Sequence, residues 1–343
     1  IAGCSTAYHL AKNGWDTVLI ERDVLTSGTT WHAAGMVTQL GTTPQITNIR
    51  KNSVKFYKDL KDITGQDTSF CQTGTINIAT TEARYQEYLR QLTTSKLFDL
   101  DIELINKKRF KDLYPIAKYQ DVIGGLYIAE DGQADPEILT QVIAAAAKKE
   151  GVKIFEKCKL QKILKRKNII RGVKTNTGTI NCEYIVLCAG MWSRQIGEAA
   201  GVSIPLYPNE HFYMVTENFK NLPKNLPTFR DPDTYLYIRE YHKKIMIGIF
   251  EPKAKNAFKK KGIVPNNFSF GEFKVDRKYT KMLHTLAGKR IPDINDLKIE
   301  KYFSGPESFT PDSNFLLGET AEIKNFYVCC GFNSIGIGSA GGA

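Results

Sequence analysis

The sequence predicts an α/β fold of two parts: a Rossmann-like, dinucleotide-binding domain assembled from discontinuous segments, and an α+β domain built on an antiparallel sheet. Three observations carry this. The chain opens on a helix, a glycine, a strand and an acid; the apolar runs YIVLCAG and FYVCCGF return much later as buried strands; and residues 211–301 alternate with the two-residue period of antiparallel strands.

Taken in order, STAYHLAKNGW places Ala7, Leu10 and Ala11 on one helical face with Gly14 as its stop, and TVLIER reads as a buried parallel strand ending in Glu21. That is the second half of a βαβ dinucleotide unit. In the fingerprint G-x-G-x-x-G, Gly3 takes the last place, where a missing side chain lets helix and strand approach; the first two glycines would precede residue 1. Glu21 then stands where an adenosine ribose donates its hydroxyls, with Arg22 beside it.

Residues 48–64 and 82–93 read as amphipathic helices, GTINIAT and GGLYIAE as short strands, and PEILTQVIAAAAKKEG as a helix with Pro136 in its first turn and Gly151 past its end. VKIFEK, a hairpin in KNIIRGVKTNTGTINCEY that turns at Thr177 and Gly178, and YIVLCAG follow as strands, so YIVLCAG is expected to end beside the nucleotide. HFYMVTE, TYLYIRE and KIMIGIFE are strands and residues 276–288 a helix. FYVCCGFNSIGIGSAGG is a final strand whose glycine-rich turn opens a helix towards an anionic ligand group.

A chain of 343 residues, 42% apolar and without a run of 18 apolar residues, suits a soluble globular protein with room for two cores and no membrane span. Its seven cysteines include no C-x-x-C pair and lie largely in apolar runs, which favours reduced, packed thiols over a disulfide frame or a zinc site. The charge of +11 is spread over scattered lysines, and the cluster KAKNAFKKKG reads as a solvated loop rather than a nucleic-acid patch. The excess fits an acidic partner or an anionic substrate. The abrupt opening inside a helical pattern and the ending at SAGGA suggest a fragment truncated at both ends, with no targeting segment visible.

Four motifs then carry a resemblance. TSGTTWHAAGM (residues 26–36), YIVLCAGMWSRQIG, GPESFTPD and CGFNS, in this order along essentially the whole chain, resemble the FAD-dependent sarcosine and dimethylglycine dehydrogenases within the D-amino-acid-oxidase-like flavoproteins. WHAAG with GPESFTPD is far more specific than a lone glycine motif, and GPESFTPD and GFNS lean towards the sarcosine branch. The resemblance implies an FAD-binding domain over residues 1–50, 140–205 and 302–343 and a substrate-binding domain over 51–139 and 206–301. The folate-binding domains of the family lie outside this chain, so tetrahydrofolate concerns only a full-length protein.

The activity implied is oxidative demethylation of an N-methyl amino acid: sarcosine to glycine and formaldehyde, or to a one-carbon unit passed to tetrahydrofolate. Electrons leave to electron-transferring flavoprotein in the mitochondrial matrix. Dimethylglycine is the alternative substrate, since one methyl changes pocket volume more than catalytic groups. A non-catalytic regulatory relative, like the pyruvate dehydrogenase phosphatase regulatory subunit, is the alternative class; retention of the W-H pair favours the enzyme. A nicotinamide enzyme on the same βαβ unit has no need of W-H-A-A-G.

By the same resemblance, His32 matches a histidine attached covalently to the 8α-methyl carbon of FAD. That chemistry needs a neutral imidazole, which a semi-buried site favours; the alternative is a packed histidine after a nucleotide strand. Gly28, Thr29, Thr30, Trp31, Ala33, Ala34, Gly35 and Met36 would wrap the pyrophosphate and ring with it. Ala189, Gly190 and Trp192 would end their strand against the cofactor, Trp192 alternatively packing in the core, and Gly331, Phe332, Asn333, Ser334, Ile335 and Gly336 would face the isoalloxazine.

Relatives place a histidine and a tyrosine on the substrate side. His211 and Tyr237 match them best as catalytic residues, with Tyr235 replacing Tyr237 if the strand slips by one pleat. Arg239 shares the face of Tyr237 by alternation and could clamp a substrate carboxylate bidentately, or pair instead with Glu251 or Asp231.

Overall fold

The computed structural model describes residues 1–259 and 262–343; Lys260 and Lys261 of the basic cluster lie outside the described residues. The opening helix spans Ala2–Lys12, and Gly14 follows it at φ 87°, a left-handed turn open to glycine. The strand Val18–Ile20 pairs in parallel with Lys153–Phe155, and Ile185–Leu187 pairs in parallel with Phe326–Cys330. The hairpin Ile169–Thr175 and Thr179–Asn181 gains a third strand, Leu160–Arg166.

Helix formation follows local chemistry. Asp135 accepts from the amides of Glu137 and Ile138 to cap Pro136–Lys149, and Thr43 accepts from Ile46 N to cap Pro44–Thr64, with a proline at the first turn of each. The cap moves the start of the second helix four residues ahead of the expected residue 48. Val54, Tyr57 and Leu60 of that helix share one core with Ala7, Tyr8, Leu139 and Ile143. A boundary at residues 50/51 therefore cuts a helix that packs with the nucleotide half.

The second half is an eight-stranded sheet. Its order is Ile299–Phe309, Tyr207–Thr216, Lys244–Ile249, Leu236–Tyr241, Thr228–Asp231, Thr75–Ala79, Gly124–Ile128 and Glu103–Ile105, and only the Thr228–Asp231 and Thr75–Ala79 pair is parallel. A boundary at 301/302 cuts the edge strand Ile299–Phe309, which pairs with Tyr207–Thr216 along its length. One face of the sheet packs Phe212, Phe229, Ile238 and Ile247 against Leu283 and Ala287 of the helix Arg277–Arg290. Period-two alternation sends His211, Arg230, Tyr237 and Arg239 to the opposite face. All seven cysteines are free, and no helix among the described residues is long and apolar enough to cross a membrane.

Candidate active site

A continuous cavity of about 1210 Å³ runs from the parallel strands to the polar face of the large sheet. Gly3, Glu21 and Arg22 line its nucleotide end, followed by residues 28–30, 33–36 and 189–192, and then by residues 331–334 and Gly336. His211, Tyr237 and Glu307 line the other end. Three expected cofactor residues, Trp31, His32 and Ile335, are not in the lining, and neither is Arg239.

The nucleotide end is shaped by small residues and one aromatic. A side chain at Gly28 would reach within 3.4 Å of the Trp192 ring, and one at Gly35 (φ 72°) would collide with the Ala134 carbonyl. Trp192 lines the cavity with the Arg22 guanidinium 4.3 Å from its ring centre and also packs against the cluster of Met191, Phe258 and Val264. Glu21 accepts from Asp23 N at 2.9 Å, and burial raises its carboxyl above the usual range. The terminal turn holds Asn333 and Ser334 at φ 47° and 65°. Asn333 is tied there because its Oδ1 accepts from Thr310 N at 2.8 Å, and Ser334 Oγ donates to Glu307. The helix beyond it is a single turn, Gly336–Ser339.

His32 ends a short 3-10 turn, Thr30–His32, and is 4% exposed. Its ring packs 4.9 Å from Phe303 and 5.4 Å from Trp31, and its Nε2 is buried with no partner among the described residues. Burial, reinforced by nearby His211, drops its pKa to about 3, so the imidazole is neutral. Gly305 makes the room: a side chain there would press on Phe303 and His32.

On the sheet, His211 Nε2 and Tyr237 Oη share a hydrogen bond of 2.8 Å, with ring centroids 5.6 Å apart and near-parallel planes. Phe250 stacks on the same imidazole at 4.9 Å. Burial lowers the His211 pKa while Glu307 raises it, and burial raises the Tyr237 phenol. Tyr237 can lie flat because its register partner is Gly248, whose replacement by any side chain would put a Cβ 2.1 Å from the ring. Tyr235 is 47% exposed and turns outward at φ 64°, which resolves the register in favour of Tyr237.

Arg239 departs from both of its expected alternatives to clamping. Asp231 is taken by Arg290 at 2.8 Å, and Arg239 Nη1 instead donates to the Ala134 carbonyl at 3.2 Å behind Gly35. Glu251 has a buried, unpartnered Oε1, and burial lifts its pKa to about 7. Glu307 had no expected role although its motif stood out. A single acid between glycine, proline and serine gives no signal until the terminal turn and the strand carrying His211 are brought to it.

The set fits a bound flavin dinucleotide: a glycine-walled cleft ending on a strand-terminal acid, an aromatic wall, and an orphaned neutral imidazole close to the polar pair. The family model "FAD dependent oxidoreductase" matches residues 1–343. The chain belongs to this FAD-dependent oxidoreductase family. It is 35% identical over 98% of its length to 4-methylaminobutanoate oxidase (formaldehyde-forming) of Paenarthrobacter nicotinovorans, covering 41% of that protein. It is equally 35% identical over 99% of its length to mitochondrial sarcosine dehydrogenase of Mus musculus, covering 37% of it. Among solved structures, L-proline dehydrogenase from P. horikoshii superposes with TM-score 0.88 at 25% identity, over 99% of this chain and 88% of that one. The chain thus spans about two fifths of the length of these curated relatives.

Proposed function

We propose that this protein uses FAD to oxidise the N-methyl group of an amino acid, releasing the methyl carbon at the oxidation level of formaldehyde. The carrying observation is the buried His211–Tyr237 pair beside Glu307, at the end of a cavity whose other end suits a dinucleotide. Bound flavin supplies a two-electron acceptor for hydride from the methyl carbon.

The chain's own residues prepare the amine. A methylammonium entering the cavity is drawn to the Glu307 carboxylate and must lose its proton before its C–H bond can break as hydride. Tyr237 Oη relays that proton to His211 Nε2. Burial keeps this imidazole neutral and able to accept, and the Glu307 charge stabilises the imidazolium that forms. Water attack on the iminium product then yields the demethylated amino acid and formaldehyde. Phe250 supplies an apolar wall that limits water around the reacting centre.

His32 is the proposed point of covalent attachment. Its neutral Nε2, buried without a partner among the described residues, has the free lone pair that attack on an electrophilic flavin carbon requires. Electron-transferring flavoprotein as acceptor, a mitochondrial matrix location and transfer of the carbon to tetrahydrofolate by further domains are proposed on family resemblance. Sarcosine and dimethylglycine, the substrates expected from the motifs, and 4-methylaminobutanoate, named for the P. nicotinovorans relative, differ in methylation and chain length. Anaerobic mixing of holoenzyme with each should bleach the flavin absorbance with at least one; failure of all three overturns the reading.

A further inference from the structure

Two of the seven cysteines meet at the nucleotide end of the cavity. Cys188 and Cys329 each stand one residue past the paired positions Leu187 and Val328 of the parallel strands Ile185–Leu187 and Phe326–Cys330, so they are neighbours across adjacent strands. Thr6 of the opening helix Ala2–Lys12 reaches both: its Oγ1 lies 3.8 Å from Cys188 Sγ and donates to Cys329 Sγ at 4.0 Å. A side chain at Gly3 would come within 3.4 Å of Cys188 Cβ, which places the pair directly beneath that helix. Both cysteines line the cavity.

The two thiols are chemically unequal. The Cys188 S–H donates to Cys329, which holds the Cys329 thiol below the ordinary cysteine range and, together with burial, Cys188 well above it. Cys329 is thus the nucleophile and Cys188 the partner that keeps its proton. Cys330 points to the opposite face by alternation and joins the core that holds Leu206 and Phe326, while Cys4 belongs to the core that holds Ala7 and Leu139. Adjacent strands run about 4.8 Å apart, inside the Cα separation of about 4.4–6.8 Å that a disulfide spans, but parallel side chains hold the Cβ atoms wider than the preferred ~3.8 Å. A bond formed here is strained and readily reduced again.

We propose that Cys329 and Cys188 form a dithiol that hydrogen peroxide oxidises reversibly to a disulfide beneath the opening helix. The Cys329 thiolate attacks one peroxide oxygen, the O–O bond breaks, and the departing hydroxide takes up the proton that Cys329 released, leaving a sulfenic acid and water. The Cys188 sulfur then displaces the hydroxyl from the Cys329 sulfur, and its own proton leaves with that hydroxyl as a second water. Two thiols lose two electrons and two protons, and one peroxide becomes two waters. Peroxide is what a reduced flavin releases when dioxygen takes its electrons, so this oxidant arises in the cavity that the thiols line.

The test is treatment of reduced, desalted full-length holoenzyme with hydrogen peroxide in the absence of substrate, followed by alkylation and non-reducing peptide mapping. Wild type should yield a crosslink between Cys188 and Cys329, lighter by two hydrogens than the two free peptides together, and dithiothreitol should reverse it. Cys188→Ser should give no crosslink and leave Cys329 as a sulfenic acid that dimedone labels, whereas Cys329→Ser should give neither product. Thr6→Val should slow crosslinking by about 2- to 10-fold, the scale of one hydrogen bond, and Cys330→Ala should crosslink as wild type does. Cys71, which is exposed, reports that peroxide has acted. A crosslink from Cys188 to Cys4, dimedone-labelled Cys188 in Cys329→Ser, or both thiols recovered free once Cys71 is oxidised would overturn the assignment. Flavin reduction by N-methyl amino acids bears on amine oxidation alone, so each claim stands or falls without the other.

Discussion

His211 Nε2 lies 2.8 Å from Tyr237 Oη, both groups buried, on strands separated in the sheet by the one carrying Gly248. Neither residue can be removed without orphaning the other. His211→Ala is expected to lower the limiting rate of flavin reduction by about 10²- to 10⁴-fold, the range for loss of a positioned acid–base group. Tyr237→Phe should lower it less and shift the pH profile, because it removes the relay and leaves the imidazole in place. Stopped-flow reduction across pH checks both, and a His211→Ala rate equal to wild type would remove the pair from the chemistry.

Gly248 is the tightest steric constraint on that geometry. A Cβ at this position would sit 2.1 Å from the Tyr237 ring, far inside contact, so Gly248→Ala must rotate the tyrosine or bend the strand. Its reduction rate should fall towards that of Tyr237→Phe. Combining the two substitutions should cost less than the sum of each alone, which a double-mutant cycle measures.

His32 makes a stability prediction with a definite sign. Its folded pKa of about 3 lies below the ordinary histidine value of 6.5, so above pH 6.5 neither state takes up a proton there. Below 6.5 the unfolded chain binds one and the folded chain does not. Stability is therefore lost as pH falls, by about 1.4 kcal/mol per unit and on the order of 4 kcal/mol by pH 3. Flavin-free wild type should show this slope in denaturant titrations between pH 6.5 and 4, and His32→Phe should show a shallower one. In holoenzyme, flavin fluorescence should stay with the denatured wild-type band on a gel and leave that of His32→Ala.

The buried ion pair between Asp231 and Arg290 predicts an asymmetry. Asp231 is 0% exposed, Arg290 5%, and the second carboxylate on Arg290, Asp121, is 58% exposed. Asp231→Ala leaves a buried guanidinium short of its partner and should cost about 3–5 kcal/mol, whereas Asp121→Ala should cost about 1 kcal/mol or less. Equilibrium urea unfolding of the two variants distinguishes them.

Much of this was legible in the sequence, for physical reasons. Gly3, the strand ending at Glu21 and the capped helix at Pro136 are fixed by short-range chemistry, whereas Tyr237 comes from the family resemblance and alternation only places Arg239 on its face. The strand Ile299–Phe309 was hidden because Gly305 and Pro306 break a strand pattern; proline is admitted there because the strand is an edge of the sheet. Leu160–Arg166 is mostly exposed, with one buried position, Ile163, too little for a pattern. Glu307 takes its meaning from side chains far away in sequence, Ser334 and His211. No local periodicity records such meetings. The alternative pairing of Arg239 with Asp231 is pre-empted because the helix Arg277–Arg290 brings a competing arginine to Asp231.

The most direct measurement on the central claim is anaerobic flavin reduction with an N-methyl amino acid whose methyl group is deuterated, followed by assay of the product. Cleavage of that methyl C–H bond as the cavity's chemistry predicts a markedly slower reduction than with the unlabelled substrate, and formaldehyde that carries the label. Equal rates with no labelled formaldehyde would contradict it.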